Sequence, residues 1–177
     1  MVSITSKKIC LLGDFAVGKT SLIRRFIDRQ FGNQYLSTVG IKVSRKTVKL
    51  ENSPQSSNQQ MQLLIWDIED RSVKAFPSKY LKEMSGAIIV ADASRKETID
   101  HLIGYIDLFS TINRQSAIFI ALNKTDLVAE KELQTLLSSV SFNEDNRVTA
   151  SYLISAKADQ NVDEIFKALT FELILNS

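Results

Sequence analysis

Lys8-Ile9-Cys10-Leu11-Leu12-Gly13-Asp14-Phe15-Ala16-Val17-Gly18-Lys19-Thr20 is the stretch whose reading decides the fold. Lys8–Leu12 is a short apolar run with the length of a buried strand. Gly13 to Thr20 fit the pattern G-x-x-x-x-G-K-[ST], which marks a loop that holds a phosphate chain between a strand and a helix. Glycines let the backbone approach an anion, and successive N–H groups then point at phosphate oxygens. A lysine at position 19 sets a positive charge against the terminal phosphates, and the Thr20 hydroxyl is an oxygen ligand suited to Mg2+. Lys19–Asp28 places Leu22, Ile23, Phe26 and Ile27 on one face at helical spacing. The loop therefore opens a helix whose positive end faces the anion. Asp14, Phe15, Ala16 and Val17 inside the loop, and Ser21 just behind it, complete the expected phosphate-site residues.

Outward from this stretch, strand-like and helix-like segments alternate. Val39–Leu50 alternates in part, as an edge or half-buried strand does, and Met61–Asp67 is the second strand of the same hairpin. The polar segment Glu51–Gln60 between them reads as its tip. Arg71–Met84 is a weak helix with Pro77 in its first turn. Gly86–Ala93 is a buried strand. Thr98–Ile112 is an amphipathic helix carrying Ile99, Leu102, Ile103, Ile106 and Phe109 on one face. Ala117–Leu122 and Tyr152–Ile154 read as strands, Glu130–Ser139 and Asn161–Leu175 as helices. This alternation predicts an α/β fold with a mostly parallel six-stranded sheet and helices on both faces. Ligands of such sheets sit at the carboxyl ends of the strands.

A chain of 177 residues, 44% hydrophobic and 24% charged, is expected to form a single domain spanning residues 1–177. A net charge of +2 gives no electrostatic case for nucleic acid or an anionic membrane. Cys10 is the single cysteine, so an internal disulfide is excluded, and its place in the first strand predicts a buried thiol. The apolar runs are too short for a signal peptide or a bilayer span. Leu175-Asn176-Ser177 offers no cysteine for prenylation, so no intrinsic lipid anchor is expected at that end, and a cytoplasmic location follows as an expectation. His101 is the single histidine and falls on the polar side of its helix, which excludes a histidine metal cluster or a triad. Arg24 and Arg25 read as a solvated helix face.

Asn123-Lys124-Thr125-Asp126 follows the strand Ala117–Leu122, and Ser155-Ala156-Lys157 follows Tyr152–Ile154. Alone, such an Asn-x-x-Asp stretch is a turn or helix cap. With the phosphate loop, in this order and spacing, the chain resembles a Ras-superfamily small GTPase over roughly residues 7–175. The resemblance implies a P-loop NTPase of the small G domain type, with GTP/GDP and Mg2+ as its ligands. Guanine presents two adjacent donors that one carboxylate can accept, and adenine has no such pair, so a buried Asp126 would reject adenine. Asn123 would hold loops and touch the purine, the Lys124 stem would lie along the base, and the Ala156 N–H would bind the guanine oxygen. Phe31 stands where the family stacks an aromatic on the base.

Tyr35-Leu36-Ser37-Thr38-Val39-Gly40 resembles the first switch of Rab-type members, which makes Thr38 a Mg2+ ligand with its N–H on the γ-phosphate. Leu64-Ile65-Trp66-Asp67 resembles the strand that delivers the second-switch aspartate, with Asp67 holding Mg2+ through water. Beyond it the family reads W-D-T-A-G-Q, and this chain reads Trp66-Asp67-Ile68-Glu69-Asp70-Arg71. Asp70 replaces the glycine that contacts the γ-phosphate, and Arg71 replaces the glutamine that orients the attacking water. A carboxylate about 5 Å from one phosphate charge at an effective dielectric of about 20 is opposed by roughly 3 kcal/mol. Asp70 must therefore turn away, meet a cation, or lower the preference for GTP over GDP. Phe15 and Ala16 stand where Ras has two glycines. Alanine also occurs in Rho-type loops, and Phe15 crowds the space that an arginine finger from a partner would need.

These readings make Lys19, Thr38 and Arg71 the catalytic candidates. They imply a switch that hydrolyses GTP slowly and meets effector and regulatory proteins through its two switch regions, as a monomer recruited to membranes by a partner. The alternative is a nucleotide-binding scaffold without turnover. A P-loop kinase or ATPase is the third reading, which Asn123 and Asp126 oppose. Within the superfamily the phosphate loop resembles Rho members, while the first switch and Trp66 lean toward Rab. Unusual second switches and a missing lipid site also occur in bacterial Ras-like proteins.

Overall fold

The computed structural model describes residues 4–29, 41–50, 59–68, 78–141 and 145–177. Its strands are β1 (Thr5–Leu12), β2 (Ile41–Leu50), β3 (Gln59–Ile68), β4 (Gly86–Asp92), β5 (Ala117–Asn123) and β6 (Ala150–Leu153). Its helices are α1 (Lys19–Asp28), α2 (Ser78–Leu81), α3 (Lys96–Asp100), α4 (Leu102–Ile112), α5 (Glu130–Ser139) and α6 (Val162–Leu175). They build one six-stranded sheet in the order β2-β3-β1-β4-β5-β6. Only β2 runs antiparallel to its neighbour, pairing Val43 with Trp66 and Leu50 with Gln59. The other pairings are parallel.

The apolar runs of β1, β4 and β5 are continuous because both faces of these strands are covered. Successive side chains serve opposite cores. Ile9 and Leu11 of β1, Ile88 and Val90 of β4, and Phe119 and Ala121 of β5 face the α1 and α6 side, with Leu22, Phe26, Ile165, Phe166 and Leu169. Cys10, Leu12, Ala87, Ile89, Ile118, Ile120 and Leu122 face Leu102, Ile106 and Phe109 of α4. Cys10 is fully buried, and that burial pushes its thiol pKa well above the usual range. Among the described residues no helix is long and apolar enough to cross a membrane.

Three expectations are adjusted. The helix predicted over Thr98–Ile112 is two, α3 and α4, meeting at His101. There the bonding tightens: Gly104 N–H reaches His101 O at 3.0 Å, while Tyr105 N–H reaches the same oxygen at 3.4 Å. The last strand lies at Ala150–Leu153, earlier than the apolar triplet Tyr152–Ile154 suggested, because pairing with Phe119–Leu122 sets its ends. Gln59 and Gln60, read as hairpin tip, belong to β3 through the ladder with Lys49 and Leu50. Phe31, Thr38, Glu69, Asp70, Arg71 and Pro77 lie outside the described residues.

Phe26 of α1 stacks on Phe166 of α6 with centroids 3.9 Å apart, joining the two helices of one face. Phe166→Ala is expected to cost about 3–5 kcal/mol, because the cavity it leaves is walled by the sheet. Phe171→Ala, at a side chain 43% exposed on the same helix, is expected to stay within about 0.5 kcal/mol. Urea unfolding of the two variants separates these outcomes.

Candidate functional site

β1, β4 and β5 run parallel, so their carboxyl ends bring Gly13, Asp92 and Asn123 to one edge of the sheet. The phosphate loop leaves β1 there. Gly13 has φ +143°, and a Cβ on it would stand 2.2 Å from Val90 O. Gly18 has φ +99°, and a Cβ on it would stand 2.3 Å from Asn123 Nδ2. Glycine is thus required twice, for backbone conformation and for space. Ala16 also lies in the left-handed region, at φ +60°. That conformation costs a non-glycine residue roughly 1–2 kcal/mol.

Helix α1 begins at Lys19 behind Gly18, with no side-chain cap on its first turn. Uncapped N–H groups at a helix start suit an anion. Lys19 is 7% exposed, and its Nζ donates to Gly13 O at 2.6 Å and Asp14 O at 2.8 Å. The ammonium is therefore held across the mouth of the loop. Thr20 Oγ1 donates to Asp67 Oδ2 at 2.5 Å, bringing together two predicted Mg2+ ligands from α1 and β3. Two adjacent hard oxygen donors match a cation that takes few protein ligands and completes its shell with phosphate and water.

Asn123 joins the loops. Its Nδ2 donates to Val17 O at 3.0 Å, and its Oδ1 accepts the Ala156 N–H at 3.1 Å. Asn123 thus bridges Val17 and Ala156, and the Ala156 N–H expected to face guanine donates to it instead. Asp126 Oδ1 accepts Ser155 Oγ–H at 2.6 Å, and Ser155 Oγ in turn accepts the Ala158 N–H at 3.0 Å. Gly18, Ser21, Asn123, Lys124, Asp126, Leu127, Ala156 and Lys157 line a pocket of about 150 Å³. The structure thus places the residues expected to read the base beside the end of the phosphate loop, with Asp126 exposed rather than buried.

Several partners of the site had no sequence signal. Asp92, 2% exposed, accepts Lys124 Nζ at 2.7 Å and Arg95 Nε at 3.2 Å. Burial pushes its carboxyl pKa up, but the hydrogen bonds from Lys124 and Ser94 outweigh this and hold it below the usual value. Lys124 Nζ also donates to Ala16 O at 2.7 Å, and Arg95 Nη2 to Phe15 O at 2.9 Å. Asp14 accepts Tyr105 Oη–H at 2.9 Å and lies 2.6 Å from His101 Nδ1. Arg25, read as solvated, instead grips the loop after β6. Phe15 is 75% exposed at the outer edge of the loop.

Comparison with known proteins places this geometry. Residues 8–175 match the model of the Ras family. Ras-related protein Rab-1 of Theileria annulata is 31% identical over 168 residues, covering 92% of this chain and 71% of that protein. Ras-related protein RABA3 of Arabidopsis thaliana is 30% identical over 168 residues, covering 94% and 68%. Ras-related protein Rab-13 of Bos taurus is 29% identical over 173 residues, covering 96% and 81%.

The hydrogen bond that His101 donates to Asp14, and then the charge of that carboxylate, raise the pKa of His101 above the usual imidazole value. A raised pKa means that this contact contributes fully below the unfolded value, near 6.5, and is lost as pH rises through the folded one. NMR titration of the single histidine is expected to give a midpoint above 6.5, and Asp14→Asn is expected to move it down. An unmoved midpoint in that variant would refute the pairing.

Proposed function

Because the chain belongs to the Ras family, we propose that it is a small GTPase, a guanine-nucleotide switch that binds GTP and GDP with Mg2+ and hydrolyses GTP slowly. Residues 1–177 form its single G domain. The observation that carries the reading is the junction of two half-sites at Asn123, which ties the phosphate loop at Val17 to the base loop at Ala156.

Asp126, oriented by Ser155, retains acceptor capacity for the two donors on the guanine edge. The amino group of adenine would meet the Lys157 N–H, donor against donor, and would leave Asp126 without a base donor to accept. By the family resemblance, Phe31 would stack on the base and the Lys124 stem would lie along it. The loop N–H groups from Asp14 to Thr20 and the Lys19 ammonium hold the phosphates, with Ser21 behind them. Thr20 and Thr38, with Asp67 through water, would hold Mg2+, which would supply positive charge against the phosphates.

Slow turnover follows from the second switch. Arg71 cannot take a proton from water, but it can stabilise charge in the transition state. Asp70 disfavours the triphosphate unless a cation compensates it. Effector and regulatory proteins read the segments around Thr38 and after Asp70, because γ-phosphate contacts order such segments. The protein acts as a cytoplasmic monomer, recruited to membranes by a partner, and has no nucleic-acid role. The exposure of Phe15 supports a second reading, a scaffold that keeps its nucleotide without turnover, since by the family resemblance a ring at this position would crowd an incoming arginine.

The two readings separate in a single-turnover experiment. The stripped protein is loaded with Mg2+-GTP, excess is removed, and GTP and GDP are followed by chromatography. Conversion over minutes to hours supports the slow switch. Stable GTP supports the scaffold, for which Asp70→Gly with Arg71→Gln should then raise the rate. No binding at 20 µM Mg2+-GTP, roughly −6 kcal/mol of affinity, refutes both. Asp126→Ala is expected to weaken GDP by a hundredfold or more, since it removes two charge-assisted hydrogen bonds worth about 3 kcal/mol or more together.

A further inference from the structure

Arg25 sits six residues into the helix that starts at Lys19, about 9 Å along its axis. Its guanidinium donates to three main-chain oxygens: Nε to Ala156 O at 2.8 Å, Nη2 to Lys157 O at 3.0 Å and Nη1 to Arg29 O at 3.1 Å. Two of these carbonyls belong to residues lining the base pocket. In a planar trans peptide the C=O and the following N–H point in opposite directions. The grip on Ala156 O therefore fixes the Lys157 N–H, facing away from the guanidinium. The grip on Lys157 O fixes the Ala158 N–H, which donates to Ser155 Oγ at 3.0 Å. Ser155 Oγ–H in turn donates to Asp126 Oδ1 at 2.6 Å. A continuous path of covalent and hydrogen bonds thus runs from Arg25 to the carboxylate that reads the purine.

From this geometry we infer that Arg25 is a positioning residue for purine selection. It aligns the donors of the 156–157 loop and the acceptor of Asp126 for a base carrying a carbonyl beside a ring N–H. The inference rests on the guanine-nucleotide reading above. It adds a residue on α1, outside both base motifs, through which the helix that starts at the phosphates also sets the base loop. A planar fork with five donors can hold several carbonyls at once, which a lysine ammonium on a flexible stem does not reproduce.

The test is the ratio of GDP to ADP affinity, read by competition against a fluorescent guanine nucleotide. ADP uses the phosphate loop but presents an amino group in place of the carbonyl and lacks the ring N–H. The unmodified chain is measured first, and its failure to bind GDP would defeat the underlying reading. Given binding, Arg25→Ala is expected to lower GDP affinity about tenfold while ADP affinity stays within twofold, so that the ratio falls about tenfold. Arg25→Lys is expected to recover less than half of that loss on a logarithmic scale. Equal weakening of both nucleotides, or a ratio within twofold of the original, overturns the inference while leaving the guanine reading intact. If Arg25→Ala does not fold, the same ratio is read on Arg25→Gln, which keeps a single amide donor group for Ala156 O. A ratio unchanged in that variant overturns the inference equally.

Discussion

The site depends on the buried side-chain amide of Asn123. It is 2% exposed, ends β5, and spends its donor on Val17 and its acceptor on Ala156. A buried polar group is costly unless both of its functions are met. Here the partners are the backbones of two loops far apart in sequence, so satisfying the amide holds those loops at a set separation. Gly18 packs against the same amide, with no room for a Cβ. The position of the phosphate loop and the shape of the base pocket are thus consequences of one contact.

Around that contact, charges are used as braces. Asp92 is almost fully buried and would be unfavourable alone, yet it meets Lys124 and Arg95, which continue to Ala16 O and Phe15 O. Lys19 rests on the carbonyls of Gly13 and Asp14, and the Asp14 carboxylate is met by Tyr105. Carbonyls of the loop are thereby drawn toward protein cations. This matters for a loop with Phe15 and Ala16 in its middle, because Ala16 must hold a left-handed conformation that glycine would adopt at less cost.

The sheet supplies the rigid base for these contacts. β1, β4 and β5 are buried on both faces, so a register slip would exchange the two cores, and the parallel pairing of Asp92 with Asn123 is strongly specified. That pairing sets the Asp92 carboxylate next to the turn that carries Lys124. Arg25 and Phe26 extend the same logic to α1, one gripping the base loop and the other stacked on α6.

Elements with strong local character were legible in the sequence. β4, β5 and the helix Lys19–Asp28 were found with their ends nearly right, because burial on two faces and helical periodicity leave local traces. β1 instead starts at Thr5, three residues before its apolar run, where exposed residues pair with β3. Gly13, Gly18, Lys19, Thr20, Asn123, Asp126 and Ser155 were singled out because a bound phosphate or guanine would demand those residue types at short, fixed spacings. The pairing of His101 and Tyr105 with Asp14, the burial of Asp92, and the grip of Arg25 on Ala156 and Lys157 had no such trace. An arginine on a half-polar helix face has the same local sequence whether it meets water or a distant carbonyl. The choice is made only when parallel strands bring residues 25 and 156 together. Sequence by itself determined which chemistry this chain carries, since motif and periodicity are local. Tertiary structure alone decided which side chains hold that chemistry in place, since those contacts join residues that only the folded sheet makes neighbours.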